Sequence, residues 1–329
     1  MRPLRRSLLA LALCLATSAG AVARPLDPVA TVAVGAEPLG LALAADGGVL
    51  VVAAAAKALY RIDTAAPGGP AVTARLDLAA EGRLNRILVA PGDGTAYVSA
   101  SVAGKVLAIA PALDKVAARL AVGAFPQGMA IDGDRLFVAD SGDGSVAVVD
   151  RRTGAPIARL DGGDRPQTVA VDARAGRLIL VKSTTRALWL FDLADNQPAG
   201  HWDNPAFVRP VDLALLADGS VLLVDAGAGQ VLHLGSDGAI RATIALDDPG
   251  CPDCGEFAPM AIALSADASL AAIASRNGAL SLIDVATDRL LLSRRVGRDL
   301  RGVVFDRAGR LVATSFADDT VIVAEGGRP

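Results

Sequence analysis

The sequence repeats itself, and this internal repeat restricts the fold more than any other feature. Seven segments share one pattern: an apolar run, a turn rich in Asp and Gly, and a second apolar run that ends in small or polar residues. These segments follow one another at steps of about 40–50 residues. They begin at Pro38, Asn85, Pro126, Pro166, Pro210, Pro259 and Arg301. A regular period of this length indicates an array of similar units.

Each unit contains four short apolar runs. A third run follows the first two in most units, as in the SVAVVD segment that begins at Ser145, and a fourth follows a polar turn. Periods of about 40–45 residues with four strands each are typical of β-propeller blades. The last unit ends after three runs, whereas an additional run, Ala30–Gly35, precedes the first unit. We therefore predict an all-β, seven-bladed propeller with four-stranded blades, whose ring is closed by an N-terminal strand that completes the last blade.

Two other architectures explain the sequence less well. A β-sandwich predicts no regular repeat, and two domains would require a linker, which is not visible in the sequence. We therefore predict that residues 24–329 form one domain. The composition agrees, because 52% of the residues are hydrophobic but only 3% are aromatic, which suits many short packed strands. A formal charge of −3 gives no overall basic surface, so net charge does not imply a nucleic-acid partner.

The first 23 residues have the three parts of a secretory signal peptide. A positive start precedes the apolar run Leu8–Leu15 and the cleavage motif Ala21-Val22-Ala23, after which Arg24 would be the first mature residue. A membrane anchor fits less well, because the apolar run is too short to cross about 30 Å of hydrocarbon. Leu13 precedes Cys14 where bacterial lipoprotein signals have a small residue. We predict a periplasmic or secreted protein without a membrane span after cleavage.

The segment Leu136–Gly163, which reads LFVADSGDGSVAVVDRRTGAPIARLDGG, resembles the YVTN-type repeat of bacterial and archaeal propellers. In that family a blade has a strand, a PDG-like turn, an LYVAN-like strand, a Gly turn and a VSVID-like strand. The resemblance covers nearly all of the mature chain, although turns such as APGDGT and strand ends such as VKST depart from the pattern. The resemblance implies the propeller fold, but a shared fold does not imply a shared function. The family includes surface and periplasmic proteins without known chemistry, and related propellers form the large subunits of quinone-cofactor amine dehydrogenases or accompany quinoprotein alcohol oxidation.

Two cysteines of the mature chain, Cys251 and Cys254, lie in the longest connection between units. In an oxidising compartment we expect them to form a local disulfide. A redox-active pair is the alternative, but its usual setting is a helix in a βαβ unit. Haem attachment requires a His after the second Cys, where this chain has Gly255.

The chain has only two histidines, His201 and His233, which limits enzymatic and metal-binding interpretations. Neither has an evident orienting partner in the sequence, so we expect packed or surface histidines rather than a catalytic base. A zinc or copper site would require further ligands. We therefore predict no catalytic residue, no metal site and no cofactor.

Polar residues begin several of the predicted innermost strands, which converge on one mouth of the central channel. This predicted site consists of Asn85, Arg86, Gln127, Arg165, Gln167, Arg209, Asp212 and Arg301, with Glu37 and Asp299 nearby. Its arginines could bind a carboxylate or another anion in a bidentate manner. Alternatively, the arginines pair with acids around a solvated channel. A calcium-dependent lactonase would need several oxygen ligands here, and only Asp212, Asn85 and Glu37 qualify.

These observations favour a non-catalytic, exported scaffold that binds a protein or a small anionic ligand. The partner could belong to a periplasmic redox system, such as an oxidoreductase. The alternative class is an enzyme or enzyme subunit, either the large subunit of a quinone-dependent dehydrogenase or a metal-dependent, lactonase-like hydrolase. The scarcity of His, carboxylate clusters and haem motifs favours the scaffold.

Overall fold

The computed structural model describes residues 26–249 and 256–326. Within these residues the chain forms strands β1 to β28 and two short 3-10 turns, Ala79–Glu81 and Phe316–Asp318. The predicted signal peptide, Cys251 and Cys254 lie outside the described residues, so the cleavage site and the disulfide stay predictions.

The strands form seven antiparallel sheets of four strands each, which we number as blades in chain order. Blade 1 contains β2 (Pro38–Leu43), β3 (Val49–Ala53), β4 (Ala58–Asp63) and β5 (Ala71–Asp77). Blade 2 contains β6 (Leu84–Val89), β7 (Ala96–Ala100), β8 (Lys105–Ile109) and β9 (Val116–Ala121). Blade 3 contains β10 (Pro126–Asp132), β11 (Arg135–Asp140), β12 (Ser145–Asp150) and β13 (Pro156–Asp161).

The remaining blades follow the same plan. Blade 4 contains β14 (Pro166–Asp172), β15 (Arg177–Lys182), β16 (Ala187–Asp192) and β17 (Pro198–Asp203). Blade 5 contains β18 (Pro210–Leu215), β19 (Val221–Asp225), β20 (Gln230–Leu234) and β21 (Ile240–Ala245). Blade 6 contains β22 (Pro259–Leu264), β23 (Leu270–Ser275), β24 (Ala279–Asp284) and β25 (Arg289–Arg295). Blade 7 contains β26 (Leu300–Phe305), β27 (Leu311–Ser315), β28 (Thr320–Ala324) and β1 (Pro28–Ala33).

Strand β1 closes the ring, as the sequence predicts. It pairs antiparallel with β28, and Val32 lies opposite Val321. Only the bounds differ, because the strand spans Pro28–Ala33 rather than Ala30–Gly35. Without β1, the third strand of blade 7 would be an unpaired edge, which is a template for aggregation. The predicted fold, an all-β propeller with seven four-stranded blades, is confirmed.

The first strand of each blade is innermost and the fourth is outermost. First strands of neighbouring blades contact one another around the whole ring, from β2 and β6 to β26 and β2. Second strands such as Val49–Ala53 are buried along their entire length, because each sheet face packs against a neighbouring blade. Fourth strands such as Pro156–Asp161 are largely exposed. The core is therefore a ring of apolar layers between blades rather than one central cluster.

Connections of two kinds lie on one side of the ring, which we call the mouth face. They are the turn between the second and third strands of a blade, and the link from a fourth strand to the next first strand. The opposite turn face carries links between blades, including Arg151 Nη1 to Asp93 Oδ2 at 2.6 Å and Thr64 Oγ1 to Asp306 Oδ2 at 2.8 Å. The turn face therefore adds polar links between blades to the apolar core.

Candidate functional site at the channel mouth

The predicted site residues separate into a channel group and a rim group. In the channel, the Asn85 amide donates to Gln127 Oε1 at 2.6 Å, which joins blades 2 and 3. Gln167 is the equivalent residue of blade 4 and is partly buried. Arg165 and Arg209 precede their first strands and belong to the rim of the mouth face, whereas Arg301 has the same position in its first strand as Asn85 and Gln127. The predicted residues therefore form two distinct environments.

Asp212 and Arg86 face each other from opposite sides of the ring, in blades 5 and 2. Asp212 Oδ2 accepts the Ile262 N–H at 3.2 Å, so it also links blade 5 to blade 6. Burial raises the pKa of Asp212, and the positive charge of Arg86 opposes that shift. Other blades have a small residue at this position of the first strand, as at Gly128, where a Cβ would lie 2.6 Å from the Gln167 carbonyl oxygen. The channel thus contains one negative and one positive side chain at a position where the other first strands have a small residue.

Of the arginines Arg165, Arg209 and Arg301, two are paired with acids. Arg209 Nη2 lies 3.3 Å from Glu256 Oε1, and Arg301 Nε lies 2.7 Å from Asp299 Oδ1. Their charges are therefore partly neutralised, as the alternative interpretation of the sequence expects. Arg165 is exposed, and within the described residues it has neither an ion pair nor a hydrogen bond. The predicted cluster of arginines consequently contains one unpaired guanidinium at the rim.

The residue before the first strand has a left-handed backbone in four blades. These residues are Glu37 (φ 61°), Phe125 (φ 51°), Arg165 (φ 49°) and Asp299 (φ 53°). Non-glycine residues rarely adopt this conformation, and for a bulky side chain it costs roughly 1–3 kcal/mol. Glu37 is paired with Arg83 at 2.5 Å. Phe125 and Arg165, in neighbouring blades, are both exposed on the rim.

The same backbone hydrogen bond joins the two mouth-face connections in six blades. The N–H that follows the second strand donates to the carbonyl of the residue that precedes the first strand. The six pairs are Ala54–Glu37, Ser101–Arg83, Ser141–Phe125, Ala226–Arg209, Arg276–Ala258 and Phe316–Asp299, at 2.8–3.1 Å. In blade 4 the equivalent groups are the Ser183 N–H and the Arg165 carbonyl, and among the described residues this bond is absent. The Thr184 hydroxyl instead donates to the Asp164 carbonyl at 3.1 Å.

Lys182 distinguishes the end of the second strand in blade 4 from the same position in blades 5 and 7. At the same strand end, Asp225 of blade 5 accepts the N–H groups of Val208 at 2.6 Å and Arg209 at 2.8 Å. Ser315 of blade 7 likewise accepts the Arg298 N–H at 2.9 Å. A lysine ammonium has no acceptor, so Lys182 cannot hold the preceding link in this way.

Lys182 is a buried residue whose ammonium makes no hydrogen bond in the described part of the chain. Its side chain is 4% exposed, and Nζ lies 3.8 Å from the centre of the Trp189 ring. Burial lowers the pKa of Lys182, and the nearby charges of Asp161 and Asp164 oppose that shift. Lys182 was not among the site residues predicted from the sequence, although the VKST strand end differs from those of the other repeats.

Large apolar side chains are also exposed on the mouth face. Phe125 is 52% exposed, Val102 is 69% exposed and Val208 is 50% exposed. Each lies in a short connection beside a first strand or after a second strand. Exposed aromatic residues are rare in this chain, which has only seven Phe, two Trp and two Tyr.

The two histidines are a packed and a surface residue, as expected, but the expectation that neither has a polar partner was wrong. His233 Nδ1 lies 2.8 Å from Asp288 Oδ1, and Nε2 lies 3.2 Å from Ser220 Oγ. Because Ser220 is fully buried and its hydroxyl donates to Asp218 Oδ1 at 2.5 Å, it is not placed to meet a substrate. The group joins blades 5 and 6 on the turn face. His201 is 48% exposed and lies 2.7 Å from Asp203 Oδ2.

The described residues contain no group of three or more His, Cys, Asp or Glu side chains placed to hold a metal ion. They also include no helix that is long and apolar enough to span a membrane. A cavity of about 230 Å³ lies between blades 7 and 1 on the turn face. Its arginines are occupied, since Arg61 pairs with Asp46 at 2.5 Å and Arg310 pairs with Asp306 at 2.8 Å.

Comparison with known proteins agrees with the fold. The chain superposes on the structure of a streptogramin B lyase with a TM-score of 0.73 and 12% identity, covering 89% of this chain and 94% of that one. It superposes on the WD40 β-propeller domain of Doa1 with a TM-score of 0.75 and 10% identity, covering 91% and 96%. At these identities the likeness shows the fold alone. The chain is a β-propeller.

The sequence is also similar to that of a curated protein. It is 26% identical over 202 residues to the outer membrane protein assembly factor BamB of Yersinia pestis. The match covers 58% of this chain and 49% of the BamB sequence, so the chain spans about half the length of the curated relative it matches. No protein-family model matches the sequence.

Proposed function

We propose that this protein is an exported scaffold whose mouth face binds another protein beside blades 3 and 4. The observation that carries this proposal is the adjacent placement of Phe125 and Arg165, both exposed and both held in a left-handed backbone conformation. Strained residues that are not required by packing are concentrated at functional sites.

The chemistry of these two residues suits a protein interface. Aromatic and arginine side chains are enriched among the residues that dominate binding energy, typically at about 2 kcal/mol or more each. Phe125 offers an apolar surface that is 52% exposed, and Arg165 offers a guanidinium that has no partner among the described residues. A partner that covers Phe125 and supplies an acceptor to Arg165 would satisfy both groups.

The mouth face is also rigid next to Phe125. The Phe125 carbonyl accepts the Ser141 N–H at 3.1 Å and the Ser141 hydroxyl at 3.0 Å. Asp143 Oδ2 accepts the Ala124 N–H at 2.8 Å. An ordered surface loses little conformational entropy when a partner binds, so more of the contact energy contributes to affinity.

Two further observations support an exported protein-binding role. The first 23 residues have the pattern of a signal peptide. The similarity to an outer membrane protein assembly factor is consistent with a periplasmic protein that works through protein contacts. We also propose that the repeats are of the YVTN type, on the strength of the strand and turn residues of Leu136–Gly163.

Site-specific photocrosslinking in cells tests this proposal. A photoreactive amino acid placed at Phe125 should give a discrete crosslinked protein in the periplasmic fraction. The same amino acid at Ile157, which is 48% exposed on the outermost strand of blade 3, is the matched control. Crosslinking at position 125 but not at position 157 is the expected result. No crosslink at position 125, or equal crosslinking at both positions, would contradict the proposal.

A further inference from the structure

On the mouth face, blade 4 has four hydrogen-bond donors without an acceptor in the described chain. The N–H groups of Asp164 and Arg165 occupy the positions that Asp225 satisfies in blade 5, but Lys182 replaces that acceptor. The Ser183 N–H lacks the bond that is made in the other six blades, as far as the described residues extend. The Lys182 ammonium adds a fourth donor, and a Cβ at Gly163 would lie 2.7 Å from its Nζ. These donors lie in two connections that face each other.

The cationic side chains and N–H groups of this site favour a negatively charged ligand, and a backbone carbonyl adds a hydrogen-bond acceptor. Lys182 is 4% exposed and has no counter-ion in contact, although Asp161 and Asp164 lie close enough to affect its charge. Arg165 and Arg186 are exposed and unpaired within the described chain. The Arg165 carbonyl accepts no backbone N–H among the described residues, whereas the equivalent carbonyl of each other blade accepts one. A ligand that fits must therefore offer a carboxylate and, close to it, an N–H group.

We infer that blade 4 binds the C-terminal residue of a polypeptide. Its carboxylate would accept from the N–H groups of Asp164 and Arg165 and from Lys182, and its own N–H would donate to the Arg165 carbonyl. The peptide N–H thereby takes the place of the N–H that donates to the equivalent carbonyl in the other six blades, and the carboxylate takes the place of the Asp225 side chain in blade 5. Phe125, on the neighbouring blade, provides an apolar surface for a side chain near the end of the peptide. This inference rests on the proposed protein-binding function and specifies the group that the partner presents.

Trp189 reports on this site directly, because its ring lies 3.8 Å from the Lys182 ammonium. The chain contains only one other tryptophan, Trp202. The W202F variant therefore has a single indole, whose fluorescence should change when the charge beside it gains a partner. The probe is a pentapeptide that ends in phenylalanine, prepared with a free C-terminal carboxylate and as the C-terminal amide.

The free-acid peptide should bind and alter the Trp189 fluorescence, whereas the amide should bind at least tenfold more weakly. A third peptide, amidated and with an Asp side chain in its last position, distinguishes a side-chain carboxylate from a C-terminal one. In the W202F background, Lys182→Met keeps the apolar stem over Trp189 and should reduce affinity for the free acid by at least tenfold. Arg298→Gln removes an arginine of the same face that is already paired with Asp318, and it should leave the affinity unchanged.

The Lys182→Asp variant is the control that separates a loss of binding from a loss of folding. It gives blade 4 the residue of blade 5, which accepts both N–H groups, so the variant should be as stable as the wild type but should not bind the peptide. Peptide binding that survives Lys182→Met and Lys182→Asp, or the absence of binding by any free-acid peptide, would overturn the inference. Crosslinking at Phe125 that persists in Lys182→Asp would leave the proposed protein-binding function intact while excluding this mode of recognition.

Discussion

At the residue scale, one equivalent position of the seven blades carries apolar, polar, acidic or basic side chains. The last residue of the second strand pairs with the start of the first strand, and in ring order it is Ala53, Ala100, Asp140, Lys182, Asp225, Ser275 and Ser315. Serine or aspartate can satisfy the preceding connection, and alanine leaves it neutral. Asp140 and Lys182 are the two that bury a charge without such a bond. Buried groups of this kind reduce stability, so they indicate positions where function can outweigh stability.

Asp140 should make folding stability depend on pH. Its side chain is fully buried, and burial raises its pKa from 3.8 to about 7, while the charges of Arg159 and Asp143 act in opposite directions. The folded state therefore binds this proton more tightly than the unfolded state. The contribution of Asp140 to stability is complete below the unfolded pKa and is lost as the pH rises through about 7.

We expect Asp140→Asn to remove that dependence. Between pH 5 and pH 8 the aspartate should lose stability on the order of 2–3 kcal/mol relative to the asparagine. Urea unfolding of both proteins at the two pH values measures this difference. Parallel pH dependences in the two proteins would show that Asp140 is ionised in the folded state at both values.

At the element scale, the strands were predictable from sequence because their causes are local. An alternation of apolar runs with turns such as GDGS specifies each strand from its own residues, and the repeat then specifies the blade. The closing strand was predictable as well, although its bounds shifted by two residues from Ala30–Gly35 to Pro28–Ala33. Pairing with β28 determines those bounds, and the pairing joins opposite ends of the chain.

Two neighbouring substitutions test the closing strand. Val32 is buried against blade 7, whereas Thr31 is exposed on the same strand. Val32→Asp should lower the free energy of unfolding by at least about 2 kcal/mol, because it buries an unpaired carboxylate. Thr31→Asp should change it by no more than about 0.5 kcal/mol. Chemical denaturation compares the two, and equal effects would mean that β1 does not pack into blade 7.

The candidate site was only partly predictable from the sequence, because its properties depend on contacts between connections. The charged residues of the mouth were visible, and Arg165 was among them. Whether an arginine is free depends on partners that are distant in sequence, such as Glu256 for Arg209. The importance of Lys182 arises from hydrogen bonds that Asp225 and Ser315 accept at the equivalent positions and that an ammonium group cannot accept. A single repeat does not show that difference, and only the superposition of all blades does.

At the scale of the whole molecule, the propeller is a closed ring in which one blade departs from the common plan. Six blades bond their two mouth-face connections to each other, and blade 4 leaves the corresponding groups without partners in the described chain. Phe125 and Arg165 lie beside this opening. The hydrogen bonds of the other six blades thus make the scaffold rigid, and blade 4 supplies the groups for binding.

Amide hydrogen exchange of the free protein, resolved by residue, tests this asymmetry most directly. Exchange is slow where an N–H is held in a stable hydrogen bond and fast where it has no acceptor. The N–H groups of Asp164, Arg165 and Ser183 should therefore exchange at least tenfold faster than their equivalents in blade 5, which are those of Val208, Arg209 and Ala226. Equal protection of the N–H groups of blades 4 and 5 would show that blade 4 has the same mouth-face hydrogen bonds as the other blades, and the proposed binding site would be wrong.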